Sequence, residues 1–307
     1  MIPRRLPPRA TIGVCAPSGR VDAAALGRGL DVLRSLGHEV IVAPQTTNEF
    51  RYFAGTDDER VAGLHSLLDN DAIDIVIAAR GGYGLSRLLD RIDWARVAAS
   101  GKIFMGFSDF TAFNCAAFAQ GGLVTFQGPM IGSDFGSVPP NDFMQEHCWA
   151  ALTRDSHSID DVPCVHSYGS RTIEGTLWGG NLALLVHLVG TAYFPVIDDG
   201  ILYVEEIAED PYALERMFLQ LLYGGVLDRC RALVLADFTD CKPNNAQRYP
   251  YSLDEMLESV RERVPFPVVT GFPFGHIARK CTLPFGAPAT LTLGASSYGL
   301  RFSGHVR

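Results

Sequence analysis

The sequence predicts an α/β protein, with a doubly wound parallel sheet in its first half and a mixed α/β unit in its second. Three observations carry this. Over residues 1–130 short apolar runs alternate with segments of helical period. The run at 74–79 is apolar almost throughout, as a strand covered on both faces should be. The rhythm then breaks at 137–170, where Pro139-Pro140, Asp160-Asp161 and Pro163 cluster, before a new series of elements begins.

The elements follow in order. Residues 11–15 form a short apolar strand. Residues 22–36 carry Ala25, Leu26, Leu30, Leu33 and Leu36 at helical spacing, and Gly37 closes that helix. Residues 39–43 read as the second strand, and 57–68 as a helix with an acidic start and Val61, Leu64 and Leu68 on one face. The third strand is 74–79. Residues 85–97 read as one helix, 103–107 as a strand, 111–118 as a helix and 123–126 as a strand. Residues 143–151 can form a helix within the break. Strands are expected at 171–177 and 201–206, with a helix at 181–188 between them. Asp210-Pro211 is a helix start, N-cap followed by proline at the first helical position, and that helix runs to Leu222. Residues 232–236, 252–263 and 268–270 continue the mixed pattern, and 290–293 with 298–302 suggest a closing hairpin. The domain reading is therefore 1–150, a linker at 151–170, and 171–307.

Composition narrows the function. Of 307 residues, 47% are hydrophobic and 20% charged, which excludes a disordered chain. A net charge of −8 without a Lys/Arg block argues against nucleic acid as a partner. The longest apolar stretch, 182–189, is far short of the roughly 20 residues that span a bilayer. Pro3, Pro7 and Pro8 crowd Arg4 and Arg5, and no apolar core of a signal peptide follows, so no membrane association and a cytoplasmic location are expected. Seven scattered cysteines without a C-x-x-C suit free thiols in a reducing compartment rather than a disulfide framework or a zinc cage.

The sharpest local feature is Gly106-Phe107-Ser108-Asp109, where a strand meets a helix. A tight turn there lifts Ser108 out of the sheet and aims free helix N–H groups at the same spot. Phe110 stands where the full elbow pattern has glycine, and Ser108 as a simple N-cap is the competing reading. Arg80-Gly81-Gly82-Tyr83-Gly84 follows the third strand and allows close backbone approach to a ligand, though it lacks dinucleotide-loop spacing. A serine nucleophile needs a base, and the base an orienting carboxylate. Of eight histidines, His276 lies in a Gly/Pro-shaped loop after a strand, where function concentrates; the other seven fit structural or solvated roles. Glu205 and Glu206 end the apolar strand and point to opposite faces. Cys241 is a conceivable nucleophile without an elbow. No cluster has metal-ligand spacing, so neither a metal nor another cofactor is expected.

Taken together these segments resemble the LD-carboxypeptidase family of serine peptidases, which includes muramoyl-tetrapeptide carboxypeptidases and microcin C immunity peptidases. The resemblance rests on Ala79–Gly84, Gly106–Asp109, Gly128-Pro129-Met130, Trp178–Leu182, the 201–206 strand with Asp210–Met217, Phe238–Cys241, and Gly275-His276 with Leu283–Gly286. It runs from about residue 11 to 286. It implies a Rossmann-like N-terminal domain bearing the serine, a C-terminal domain bearing the acid and base, and a homodimer. By resemblance Ser108 is the nucleophile, His276 the base and Glu205 the orienting acid, with Glu206 as the fallback. Val204 replaces the family's usual leucine before that acid. The implied substrate is a small peptide, the murein tetrapeptide, cut to release terminal D-Ala during cytoplasmic recycling of wall fragments. The backbone N–H of Asp109 and one from Gly81 or Gly82 are candidates for the oxyanion. Arg80 and Arg279 are candidates for the substrate carboxylate. A microcin C-type immunity peptidase shares the triad and is the nearest alternative. An α/β-hydrolase esterase and a non-catalytic ligand binder are the more distant ones.

Overall fold

The structure is a computed structural model and describes residues 1–248 and 250–307. The first half contains β1 (Thr11–Cys15), α1 (Ala23–Ser35), β2 (Glu39–Val42), α2 (Asp57–Leu68), β3 (Ile75–Ala78), α3 (Trp94–Ala99), β4 (Ile103–Met105), α4 (Thr111–Gly121), β5 (Thr125–Gln127) and α5 (Asp142–Thr153). The second half contains β6 (Ser156–Pro163), β7 (Arg171–Asn181), α6 (Leu182–Leu188), β8 (Gly200–Ile207), α7 (Pro211–Tyr223) and β9 (Cys230–Thr239). It ends with α8 (Leu253–Arg263), β10 (Val268–Thr270), β11 (Leu283–Phe285), β12 (Ala287–Leu293) and β13 (Ser297–Ser303).

Among the described residues the strands form two sheets. The first has the order β11-β5-β4-β3-β1-β2, the second β10-β9-β8-β7-β12-β13-β6. From β2 to β5 the first sheet is parallel and doubly wound, as the alternating pattern predicts. Its strands are covered on both faces: Val76 and Ala78 of β3 enter one apolar core, Ile75 and Ile77 the other. The order in which parallel strands are added reverses between β1 and β3, so the loops after these two strands flank a crevice at the sheet's carboxyl edge. Helix ends follow local chemistry. Asp22 caps α1 through the Ala25 N–H, and Thr56 with Glu59 forms a capping box on α2.

The structure adds detail to the expected elements at four places. Residues 85–97 are not one helix but a 3-10 turn at Leu85–Arg87 followed by the short α3. A continuous helix would join the Asp93 N–H to the Leu89 carbonyl. Here the Asp93 N–H donates to His65 Nε2 at 3.1 Å, and the Trp94 indole takes the Leu89 carbonyl at 2.8 Å. Asp93 then restarts the helix by capping the Arg96 N–H. Asp210 precedes α7 as expected, but its carboxylate accepts from the Asn244 backbone and side chain at 2.7 and 2.6 Å instead of capping the helix. Within the stretch read as a linker, β6 pairs antiparallel with β13. Finally, β11 leaves the second half of the chain and pairs antiparallel with β5, which makes the first sheet mixed. Pro284 is tolerated in it because β11 is the sheet's edge strand.

Candidate active site

After β4 the chain turns sharply, and Ser108 takes a left-handed backbone conformation with φ of +61°. A non-glycine residue there carries strain of roughly 1–3 kcal/mol, which persists only where the surroundings fix it. They do so here. The buried Asp109 carboxylate accepts from the Ser18 hydroxyl at 2.6 Å and from the Leu85 N–H at 2.9 Å. It thereby ties the loops after β1 and β3 to the serine turn. Burial pushes the Asp109 carboxyl above its ordinary range, against the opposing pull of those hydrogen bonds. The fully buried Arg60 of α2 reinforces the same loops. Its guanidinium donates to the carbonyls of Pro17 at 2.5 Å and Gly84 at 3.1 Å, and pairs with Asp57.

Gly81 lies directly against the serine. A Cβ on it would stand 3.1 Å from Ser108 Cβ and 3.2 Å from Ser108 Oγ. Only glycine brings the backbone after β3 this close.

The second sheet supplies the other half. Glu205, on β8, is fully buried, and its Oε2 meets His276 Nδ1 at 2.6 Å. His276 Nε2 lies 3.2 Å from Ser108 Oγ. The histidine loop reaches Glu205 because Gly275, with φ of +128°, lets the backbone pass where a Cβ would meet Glu205 Cβ at 3.2 Å. The Phe107 ring packs edge-on against the His276 ring at 5.1 Å. Four residues on, the buried Lys280 pairs with Asp134 at 2.5 Å and lies 3.8 Å over the same Phe107 ring. Asp134 also accepts from the Met130 N–H at 2.8 Å, so the histidine loop is bound to the segment after β5.

The structure thus brings Ser108, His276 and Glu205 into one hydrogen-bonded line, the arrangement a nucleophile, base and orienting acid require. Glu206 is elsewhere. It faces away and accepts from Asn181 Nδ2 at 2.7 Å and the Ala183 N–H at 2.8 Å, at the start of α6. Burial raises the Glu206 pKa as well. Arg80 is exposed beside Gly81 and, among the described residues, has no hydrogen-bond or ion-pair partner. Arg279 stacks 3.8 Å over Phe143 and lines a separate cavity with His147, Asp160 and Asp161. Cys241 is buried and its thiol is pushed up to about 11, which keeps it protonated at neutral pH. Among the described residues no group of three or more His, Cys, Asp or Glu is placed to hold a metal ion.

Sequence reasoning missed Arg60, Ser18, Asp134 and Lys280. Nothing local marks them; each acts through partners distant in the chain.

Residues 12–128 match the LD-carboxypeptidase N-terminal domain and residues 174–291 the LD-carboxypeptidase C-terminal domain. The murein tetrapeptide carboxypeptidase of Pseudomonas aeruginosa is 31% identical over 91% of this chain and 92% of its own. The crystal structure of muramoyltetrapeptide carboxypeptidase from Oxalobacter formigenes superposes with a TM-score of 0.90 at 40% identity, covering 97% of this chain and all of that one. The microcin C7 self-immunity protein MccF in complex with aspartyl sulfamoyl adenosine superposes with a TM-score of 0.89 at 25% identity, covering both chains fully.

Proposed function

The chain belongs to the LD-carboxypeptidase family of serine peptidases, and from that premise we propose that it releases terminal D-Ala from murein tetrapeptide through an acyl-enzyme on Ser108. The observation that carries this reading is the line from Glu205 Oε2 through His276 to Ser108 Oγ, with gaps of 2.6 and 3.2 Å. In this reading residues 1–150 bring the nucleophile, residues 171–307 bring the acid and base, and the cleft opens between them.

Ser108 Oγ attacks the carbonyl of the residue before D-Ala while His276 Nε2 takes the hydroxyl proton. Glu205 holds the Nδ1–H and stabilises the imidazolium. The oxyanion rests on the N–H of Asp109 and one from Gly81 or Gly82. Collapse breaks the amide bond, and His276 returns its proton to the departing amine. Water activated by the same imidazole then hydrolyses the ester and restores Ser108. Arg80 takes the substrate's free carboxylate. Among the described residues it has no hydrogen-bond or ion-pair partner, which favours it over Arg279, which lies in another cavity.

We place this activity in the cytoplasm, in a homodimer. The seven cysteines are all free thiols, which suits a reducing compartment. Among the described residues no helix is long and apolar enough to cross a membrane. Light scattering on the purified protein tests the dimer.

The deciding experiment compares D-Ala release from tetrapeptide and pentapeptide by the wild type and Ser108→Ala. Release from the tetrapeptide alone, reduced at least about 10³-fold in the variant, is expected. Equal release by the variant overturns the mechanism. The likeness to the self-immunity protein supports a second reading, with the same residues and a nucleotide-linked leaving group. Hydrolysis of an aminoacyl-sulfamoyl nucleoside without D-Ala release would favour it.

A further inference from the structure

Between β2 and α2 the chain makes a tight turn, Phe50-Arg51-Tyr52-Phe53. The N–H groups of Phe50 and Phe53 donate to each other's carbonyls at 2.9 Å, and Arg51 takes a left-handed φ of +56°. The Arg20 N–H fixes the Tyr52 carbonyl at 3.1 Å. The Phe53 ring lies 4.6 Å from the Arg60 guanidinium and 5.2 Å from that of Arg87. The turn is therefore built into the same network that fixes the serine loops, yet Tyr52 is 49% exposed. A presented aromatic on an anchored turn calls for a reason.

The reason lies at Gly82. A Cβ there would stand 2.6 Å from the Tyr52 hydroxyl and 3.3 Å from Arg80 Nη1. The two donors thus border one small space that only a glycine leaves open. Among the described residues neither has a hydrogen-bond partner. The nearby cation Arg20 is already paired with Glu49 at 2.9 Å, so Arg80 supplies the unpaired charge. Gly81, the adjoining residue, touches Ser108, and consecutive α-carbons are about 3.8 Å apart. The space therefore opens at the residue next in the chain to the one that touches the nucleophile, and the far end of a departing amino acid is the part of a substrate that would fill it.

We infer that the Tyr52 hydroxyl completes, with Arg80, a clamp for the α-carboxylate of the departing residue, and that this turn selects exo- over endo-cleavage. The inference rests on the carboxypeptidase reading for its substrate. A carboxylate accepts from both donors and neutralises Arg80; a continuing chain presents an amide there and leaves the guanidinium uncompensated.

The test uses the tetrapeptide with a free C-terminal carboxylate and the same peptide as its carboxamide. Binding to S108A is measured by calorimetry, with and without Tyr52→Phe. S108A is expected to bind the acid at least about tenfold more tightly than the amide, and S108A/Y52F only about two- to threefold more tightly. In an otherwise wild-type chain, Y52F raises KM for the acid with kcat little changed. A purely structural role for Tyr52 would lower kcat as well. An acid preference that is absent from S108A, or undiminished in S108A/Y52F, overturns the clamp. A wild type that releases no D-Ala, while S108A still prefers the acid, retires the carboxypeptidase reading and leaves the clamp standing.

Discussion

The two sides of the candidate site are held in place by different means. On the serine side, β4 and α4 form the turn, and its support comes from loops of the same sheet: Asp109 to Ser18 and Leu85, Arg60 to Pro17 and Gly84. On the histidine side no regular element carries His276. Its loop is held from outside, by Glu205 on β8, by Phe107 of the serine turn and by the Lys280–Asp134 pair. The first arrangement is a consequence of sheet topology; the second is a set of contacts between segments far apart in the chain. The serine's geometry should therefore survive single changes that displace the histidine.

The largest effect separates two neighbouring carboxylates. Glu205→Gln removes the charge facing His276 and permits the wrong tautomer, so kcat should fall roughly 10³–10⁴-fold with little change in Tm. Glu206→Gln should leave kcat near the wild-type value and lower Tm, because Glu206 serves the start of α6. Equal losses of kcat in steady-state assays would erase the distinction drawn between these residues.

Next comes the histidine loop's outer anchor. Lys280→Met leaves Asp134 buried and unpaired, and should cost about 3–5 kcal/mol in denaturant unfolding. Adding Asp134→Asn should recover most of that stability. Labelling of Ser108 by a fluorophosphonate should slow in Lys280→Met, because His276, the proposed base, is displaced while the serine turn persists. Unchanged labelling would mean the ion pair does not position His276.

The smallest effect lies away from both sides. His147 Nδ1 and His157 Nε2 meet at 2.8 Å, and burial lowers the His157 pKa to about 4. Between pH 6.5 and 4 the unfolded chain takes a proton that the folded chain refuses. Stability is complete above that window and declines as pH falls through it. His157→Gln should flatten that decline in thermal melts without moving the pH profile of activity. A shifted activity profile would couple this pair to the site.

The sequence carried the serine side well. Apolar runs marked β1, β3 and β4, and the Ser108 turn followed from a strand meeting a helix. The oxyanion and carboxylate candidates at Arg80-Gly81-Gly82 lie beside that turn for the same topological reason. The histidine side was visible only as a loop histidine and a strand-end glutamate; their meeting depends on Gly275 passing Glu205, which no local pattern encodes. Where residues 85–97 were read as one helix, side chains from elsewhere took the bonds that would have continued it. The strand β11 was hidden because three residues centred on a proline do not look like a strand until an edge is available for them.

That strand also sets an order of events. The serine turn is made early, at residues 106–109, but the sheet bearing it lacks its β11 edge until residues 283–285 arrive. Synthesis runs from the N-terminus, and a ribosome adds only about 5–20 residues each second. For many seconds the nascent chain holds Ser108 without His276 and a sheet with β5 bare at the margin. The segment that covers β5 begins seven residues after His276. Completion of the sheet and arrival of His276 are thus nearly the same moment, and under the proposed mechanism an unfinished chain carries no armed serine.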